Sequence, residues 1–305
     1  MEENKIMVKF KNTVTVAGTL VESNLTQGTG VDSGRDYYRG NVSIQTAENN
    51  VVKVQIFQMF DKKDKAKQGS FIPDNRYKDV AKLADPATIG TNVQISASFA
   101  NNIFVNGEGE TVKSVNVDGG FYRIPHAGAG KADFSATMVI RSVQEELDRD
   151  TQEPTGSVVV KGETFAFNGT SIPVQFYVDN SAGAKYFLDM DVSEPILTEV
   201  WGKIENSQLP PKTVESAFGE AQVIESTFTR TRRVITGAAV EPHEVDEEIA
   251  GKIREGKQAY EVAIADAEAY HKTRQESNSA FNNGDKVPAS SDAGASKPKT
   301  GGFNF

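Results

Sequence analysis

Apolar and polar residues alternate in short runs along most of the chain, the period-two pattern of strands that bury one face. Residues 13–21 interleave β-branched and small side chains around Gly18, which predicts a strand with a bulge or sharp bend. A Gly/Ser/Asp-rich loop over 26–36 leads into a strand predicted over 37–45. The turn residues Glu48, Asn49 and Asn50 then connect it to a strand over 51–59, making a hairpin. In the later strand Val52, Val54 and Ile56 share one face, and Lys53, Gln55 and Phe57 share the other. The first set builds a core; the second is free to touch a ligand.

Beyond the hairpin the pattern predicts a charged loop over 61–68, a short helix over 77–84 stopped by Pro86, a hairpin over 92–105, and strands over 112–117 and 121–124. Five or so short strands, one bent near its start, with a short helix between the third and fourth, follow the order of an OB-fold barrel. A small, flexible linker or sharp turn at 125–130 precedes a second set of strands over 134–143, 157–161, 164–167, 172–178 and 186–191. Val54-Gln55-Ile56-Phe57 in the first set matches Val174-Gln175-Phe176-Tyr177 in the second, 120 positions later, and Gly40 and Gly156 are 116 apart. The halves read as a diverged tandem repeat. A long strand is predicted over 221–237. Ile249, Ile253, Tyr260, Ile264 and Ala267 recur at helical spacing over 245–273. The expected fold is therefore mostly β, with two OB-fold-like barrels in tandem (1–124 and 131–240), a C-terminal helix (243–276) and a disordered tail (277–305).

Composition narrows the chemistry. With 305 residues there is room for two cores, and the absence of cysteine removes disulfides, Cys-ligated zinc and thiol catalysis together. No apolar run approaches the roughly 20 residues of a membrane span, and MEENKIMVKF has no apolar signal core, so an unexported, cytoplasmic protein is expected, in the host cell if a phage encodes it. His126, His243 and His271 lack metal-ligand spacing. Asp189, Asp191 and Glu194 read as a solvated turn rather than a cation site. Gly128-Ala129-Gly130-Lys131 is followed by Ala132 instead of Ser or Thr, and lacks the full phosphate-loop spacing. These features point to no cofactor, no metal and no enzymatic activity.

The net charge of −9 opposes contact with phosphates, yet its distribution is uneven. From Arg35 to Lys82 there are ten basic residues against six acidic ones, whereas Glu244 to Glu276 holds nine acidic against five basic. A binding face set apart from a solvated one gives such an asymmetry, and so does a mixed charged surface. The chain closes on Gly301-Gly302-Phe303-Asn304-Phe305, two aromatics that a polar tail does not need for solubility.

An OB-like β region with strand-borne aromatics, followed by a tail with a terminal aromatic peptide, resembles single-stranded DNA-binding proteins, particularly the diverged forms of bacteriophages. The resemblance covers both β regions and the tail, and rests on layout. It implies sequence-independent, non-catalytic binding of single-stranded DNA in replication, recombination or repair. Tyr37, Phe57, Tyr122 and Tyr177 would stack bases, and Arg39, Lys53, Lys62, Lys63, Lys65 and Arg123 would meet phosphates. Arg230, Arg232 and Arg233 would form a second phosphate patch or simply line a solvated strand. Phe99, Phe165, Phe167, Phe176 and Phe187 are expected in the core. The tip Phe303, Asn304 and Phe305 would recruit replication or recombination proteins, although residues 277–305 carry Lys286, Lys297 and Lys299 against Asp285 and Asp292, where tails of that family are acidic. No membrane partner is implied, and a homo-oligomer and an RNA ligand stay open. The rival expectation is a structural β protein of a virus head or tail, which has no use for Tyr37, Arg39, Lys53 and Phe57 facing outward on neighbouring strands.

Overall fold

The computed structural model describes residues 10–282 except 32, 65, 68, 149–150, 209–211, 215–217, 219–221 and 225–228. The first half contains β1 (Asn12–Ser23), β2 (Thr26–Thr29), β3 (Asp36–Ala47), β4 (Asn50–Met59), β5 (Asp61–Lys63), β6 (Phe71–Pro73), α1 (Asn75–Ala84), β7 (Asn92–Val105) and β8 (Thr111–Arg123). β1 pairs with β3, β3 with β4, β4 with β8, β8 with β7, and β7 with β1 again. Only β4–β8 is parallel, and α1 lies between the third and fourth strands of this ring, which is the OB-fold topology.

The second half repeats the arrangement with β9 (Lys131–Leu147), β10 (Pro154–Phe165), β11 (Ser171–Val178), α2 (Ser181–Leu188), β12 (Ile196–Gln208), the small hairpin β13 (Lys212–Val214) and β14 (Gln222–Ile224), and β15 (Thr229–Ala238). The ring runs β9–β10–β11–β15–β12–β9, with only β11–β15 parallel. The register preserves the repeat. Val42 pairs with Val54 in the first barrel and Gly162 with Val174 in the second, both partners being 120 positions later.

The barrels share one sheet, because β1 pairs antiparallel with β9 from Asn12↔Ala136 to Ala17↔Lys131. Their cores are continuous as well. Phe99 of β7, Phe134 of β9 and Phe176 of β11 meet at the seam, with ring centroids 4.9 to 6.0 Å apart, and each buried aromatic or branched side chain contributes about 1.5–3 kcal/mol. The 125–130 segment is a pinned turn: His126 N–H donates to Asn92 O at 2.8 Å, and Asn92 Nδ2 to Gly128 O at 3.1 Å. The bulge or bend expected at Gly18 falls instead between Leu20 and Glu22, where the β1–β3 register shifts, while Gly18 serves a close approach. Its φ is +153°, and a Cβ there would lie 2.1 Å from Gln45 O, so only glycine lets β3 approach.

Several elements differ from the pattern's prediction. The hairpin expected over 92–105 is the single strand β7, the strands expected over 112–117 and 121–124 are one strand, β8, and those expected over 157–161 and 164–167 are one strand, β10. Residues 186–191 do not form a strand; α2 takes their first three residues, because Asn180 caps it by accepting from Gly183 N–H at 2.7 Å and the helix buries Ala184 and Phe187. Of the single strand expected over 221–237, the described residues form β14 and β15. The C-terminal helix α3 spans Glu247–Asn282, later at both ends than expected, and so enters the stretch expected to be disordered. α3 is anchored near its start, where Ile249 and Ile253 pack on Val139, Phe165 and Leu197. Phe99, Phe165, Phe176 and Phe187 are buried as expected, but Phe167 is fully exposed at the β10–β11 turn, past the last residue that β10 pairs with β11. Among the described residues no helix is long and apolar enough to cross a membrane.

Candidate nucleic-acid interface

Register decides what the first barrel shows to solvent. The pairs Arg39↔Phe57, Asn41↔Gln55 and Ser43↔Lys53 line one face of β3 and β4, opposite the buried Val42, Ile44, Val54 and Ile56. The Tyr37 ring lies 5.6 Å from that of Phe57, and the Arg39 guanidinium 5.9 Å from the Tyr37 ring. Phe57 is 61% exposed, forgoing burial worth about 1.5–3 kcal/mol that closing the barrel does not require.

β8 runs beside β4 and adds Phe121, 66% exposed, with the Arg76 guanidinium 5.5 Å from its ring. Asp74, the N-cap of α1, holds Arg76 in place with an ion pair of 2.5 Å, and the Arg76 hydrogen bond keeps the Asp74 carboxyl below its ordinary pKa. Tyr122, expected to stack bases, is instead buried in the barrel core, where its hydroxyl donates to Gly119 O at 3.2 Å and burial pushes its pKa well up. The reason is the register shift opposite Ser96 and Ala97, at Gly119 and Gly120. One extra residue inverts the facing of everything after it, turning Tyr122 inward and Phe121 outward.

The cations separate into two groups. Arg39, Lys53, Lys62, Lys63 and Arg123 are exposed, and form no ion pair among the described residues. Lys65, Phe303, Asn304 and Phe305 lie outside the described residues. Lys62 and Lys63 sit on the β5–β6 ribbon, not in a loop, across from Ile72 and Phe71. There Arg35 bonds Asp61 and lies 4.0 Å from the ring centroid of Phe71, an exposed aromatic that alternation alone does not single out.

The second barrel places Tyr177 at the position of Phe57 but closes over it. Arg232 lies 4.4 Å and Arg230 5.6 Å from its ring centroid. Both arginines pair with Glu146, Arg232 also with Asp179 at 2.8 Å, and Gln175 Nε2 donates to the Tyr177 hydroxyl at 2.7 Å. Arg233 points elsewhere, donating to Val115 O at 2.8 Å across the seam, with burial lowering its pKa. The three arginines are thus neither a free phosphate patch nor a solvated strand edge. Among the described residues no group of three or more His, Asp or Glu side chains is placed to hold a metal ion.

A deletion mutant of the single-stranded DNA binding protein from Thermus aquaticus is 14% identical, with a TM-score of 0.47 over 79% of this chain and 100% of that one. The wild-type protein of that organism is 13% identical, with a TM-score of 0.46 over 79% and 99%. A replication protein A heterotrimer bound to single-stranded DNA is 10% identical, with a TM-score of 0.21 over 84% of this chain and 53% of that one. No curated protein matches. The YorF family model matches residues 11–270, and the chain belongs to the YorF family.

Proposed function

We propose that this protein binds single-stranded DNA without catalysis, in replication, recombination or repair, along the outward face of β3, β4 and β8. The observation that carries this reading is the cluster of Tyr37, Arg39 and Phe57, where an exposed ring, a half-buried ring and a cation without an ion pair stand together on paired strands. Every base has a π-face, so stacking at about 1–3 kcal/mol per base tolerates any sequence. Arg39, Lys53, Lys62, Lys63 and Arg123 supply phosphate contacts around the rings, and Phe121 extends the platform. Tyr177 serves the second barrel, 131–240, in a lesser role. Lys65 and the tip Phe303, Asn304 and Phe305 belong to the same proposal, the tip as a peptide that recruits replication or recombination proteins. The test is a fluorescence-anisotropy titration of labelled oligo-dT and a matched duplex at low and moderate salt. Tight, salt-sensitive binding to the single strand alone is expected; no binding at low salt overturns the reading.

A further inference from the structure

Two residues along the strands from the Arg39↔Phe57 pair, the same face descends into a cavity of about 270 Å³ at the seam of the barrels, with polar and apolar walls. β3 and β4 supply Asn41 and Gln55, β8 supplies Asn116, and the second barrel supplies Asn206, Thr231 and Arg233. Consecutive outward positions on a strand are about 6.6 Å apart, so the cavity opens directly beside the aromatic platform.

Its walls are fixed across the seam. Asn206 Nδ2 donates to Val51 O at 2.5 Å, Asn50 Nδ2 to Ile204 O at 2.9 Å, and Arg233 to Val115 O at 2.8 Å. Inside, Asn116 Nδ2 donates to Gln55 Oε1. That bond leaves Gln55 Nε2 as a donor and Asn116 Oδ1 as an acceptor on the two linked amides, with Asn41 opposite Gln55 in the register. In the surrounding wall Arg233 Nε and Asn206 Oδ1 have no hydrogen-bond partner among the described residues.

A neighbouring donor and acceptor match the Watson–Crick edge that every base offers when it is not paired. The lining combines four amides with the cations Lys53 and Arg233 and with Val52, Val115, Val117 and Ile204, a mixture of polar and apolar groups that suits the ring and edge of a base. We infer that this cavity receives the Watson–Crick edge of one unpaired base of the bound strand, with Gln55 and Asn116 as its readers. The inference rests on the single-strand reading above, and adds a chemical reason for rejecting duplex: in a duplex that edge is already occupied.

The test compares oligo-dT with an oligonucleotide of the same length made of N3-methylthymidine, whose rings still stack but whose Watson–Crick edge is blocked. The intact chain is expected to bind the methylated strand at least about fivefold more weakly, the lower end of what a good amide–base pair discriminates. In Gln55→Leu and Asn116→Leu, checked for an unchanged circular-dichroism spectrum, that difference falls toward onefold. Equal binding of both strands by the wild-type chain overturns the inference and leaves single-strand binding standing. A difference that persists in both variants also overturns it, because the edge is then read elsewhere. Failure to bind oligo-dT at all removes the underlying reading as well.

Discussion

Phe57 and Tyr177 occupy the same place in two barrels of the same topology, yet one ring stands open and the other is covered. Around Phe57 the cations Arg39 and Lys53 form no close ion pair among the described residues, although Lys53 lies near enough to Glu22 to help lower its carboxyl's pKa. Around Tyr177 the cations Arg230 and Arg232 lie on the ring and are neutralised by Glu146 and Asp179. A guanidinium stacked on an aromatic competes for the π-face a base would use, and a paired carboxylate repels phosphate. The strand-borne aromatic alone therefore does not make a binding face; a paired guanidinium drawn close over the ring, as Arg232 is at 4.4 Å over Tyr177 and Arg76 is not at 5.5 Å over Phe121, closes it.

The comparison is broken most sharply by removing the rings. Tyr37→Ala with Phe57→Ala should weaken oligo-dT binding by about 2–6 kcal/mol, two stacking contacts, with an unchanged thermal melt. Tyr177→Ala should cost less than about 1 kcal/mol in the same anisotropy titration, since its ring is already covered. Equal losses would erase the distinction between the barrels.

Next in size is the carboxylate that closes the second face. Glu146→Gln should release Arg230, leave Arg232 on Asp179 alone, and tighten oligo-dT binding several-fold, with a steeper salt dependence, while lowering stability by about 1–3 kcal/mol as a buried acceptor of two charged hydrogen bonds is weakened. Chemical denaturation measures the second effect. Charge on the open face is smaller per residue: Arg39→Ala or Lys53→Ala should each reduce the slope of log affinity against log salt by about 0.7, the value for one phosphate contact on a single strand.

The smallest expected effect concerns pH. Asp118 lies on β8 beside Gln55, and burial raises its carboxyl above the ordinary 3.8. Because the folded-state value is the higher one, the stability this group contributes is full below 3.8 and declines as pH rises through the folded-state value. Asp118→Asn mimics the protonated form, so it should raise Tm modestly at neutral pH and have no effect in acid, as followed by circular dichroism.

Much of this was legible in the alternation of polar and apolar positions. Lys53, Gln55 and Phe57 face outward as their spacing requires, and the 120-residue offset between Val54 and Val174 is preserved in strand register. What escaped depended on single-residue events or distant partners. A bulge at Gly119 and Gly120 exchanges Phe121 for Tyr122, and periodicity carries across such a bulge with the wrong sign. Residues 186–191 have strand-like composition, but Asn180, several positions earlier, starts a helix that runs into them. The cover over Tyr177 comes from Glu146 and from arginines more than 50 residues away, and the seam cavity from five strands of two barrels, neither of which any local window contains.

The central claim is that the β3–β4–β8 face, and not its counterpart in the second barrel, carries the strand. Photocrosslinking the whole chain to an oligonucleotide containing 5-iododeoxyuridine, with the crosslinked residues mapped by mass spectrometry, tests it directly. Crosslinks at Tyr37, Phe57 and Phe121 are predicted; crosslinks confined to Tyr177 and its surroundings, or to neither face, would contradict the account.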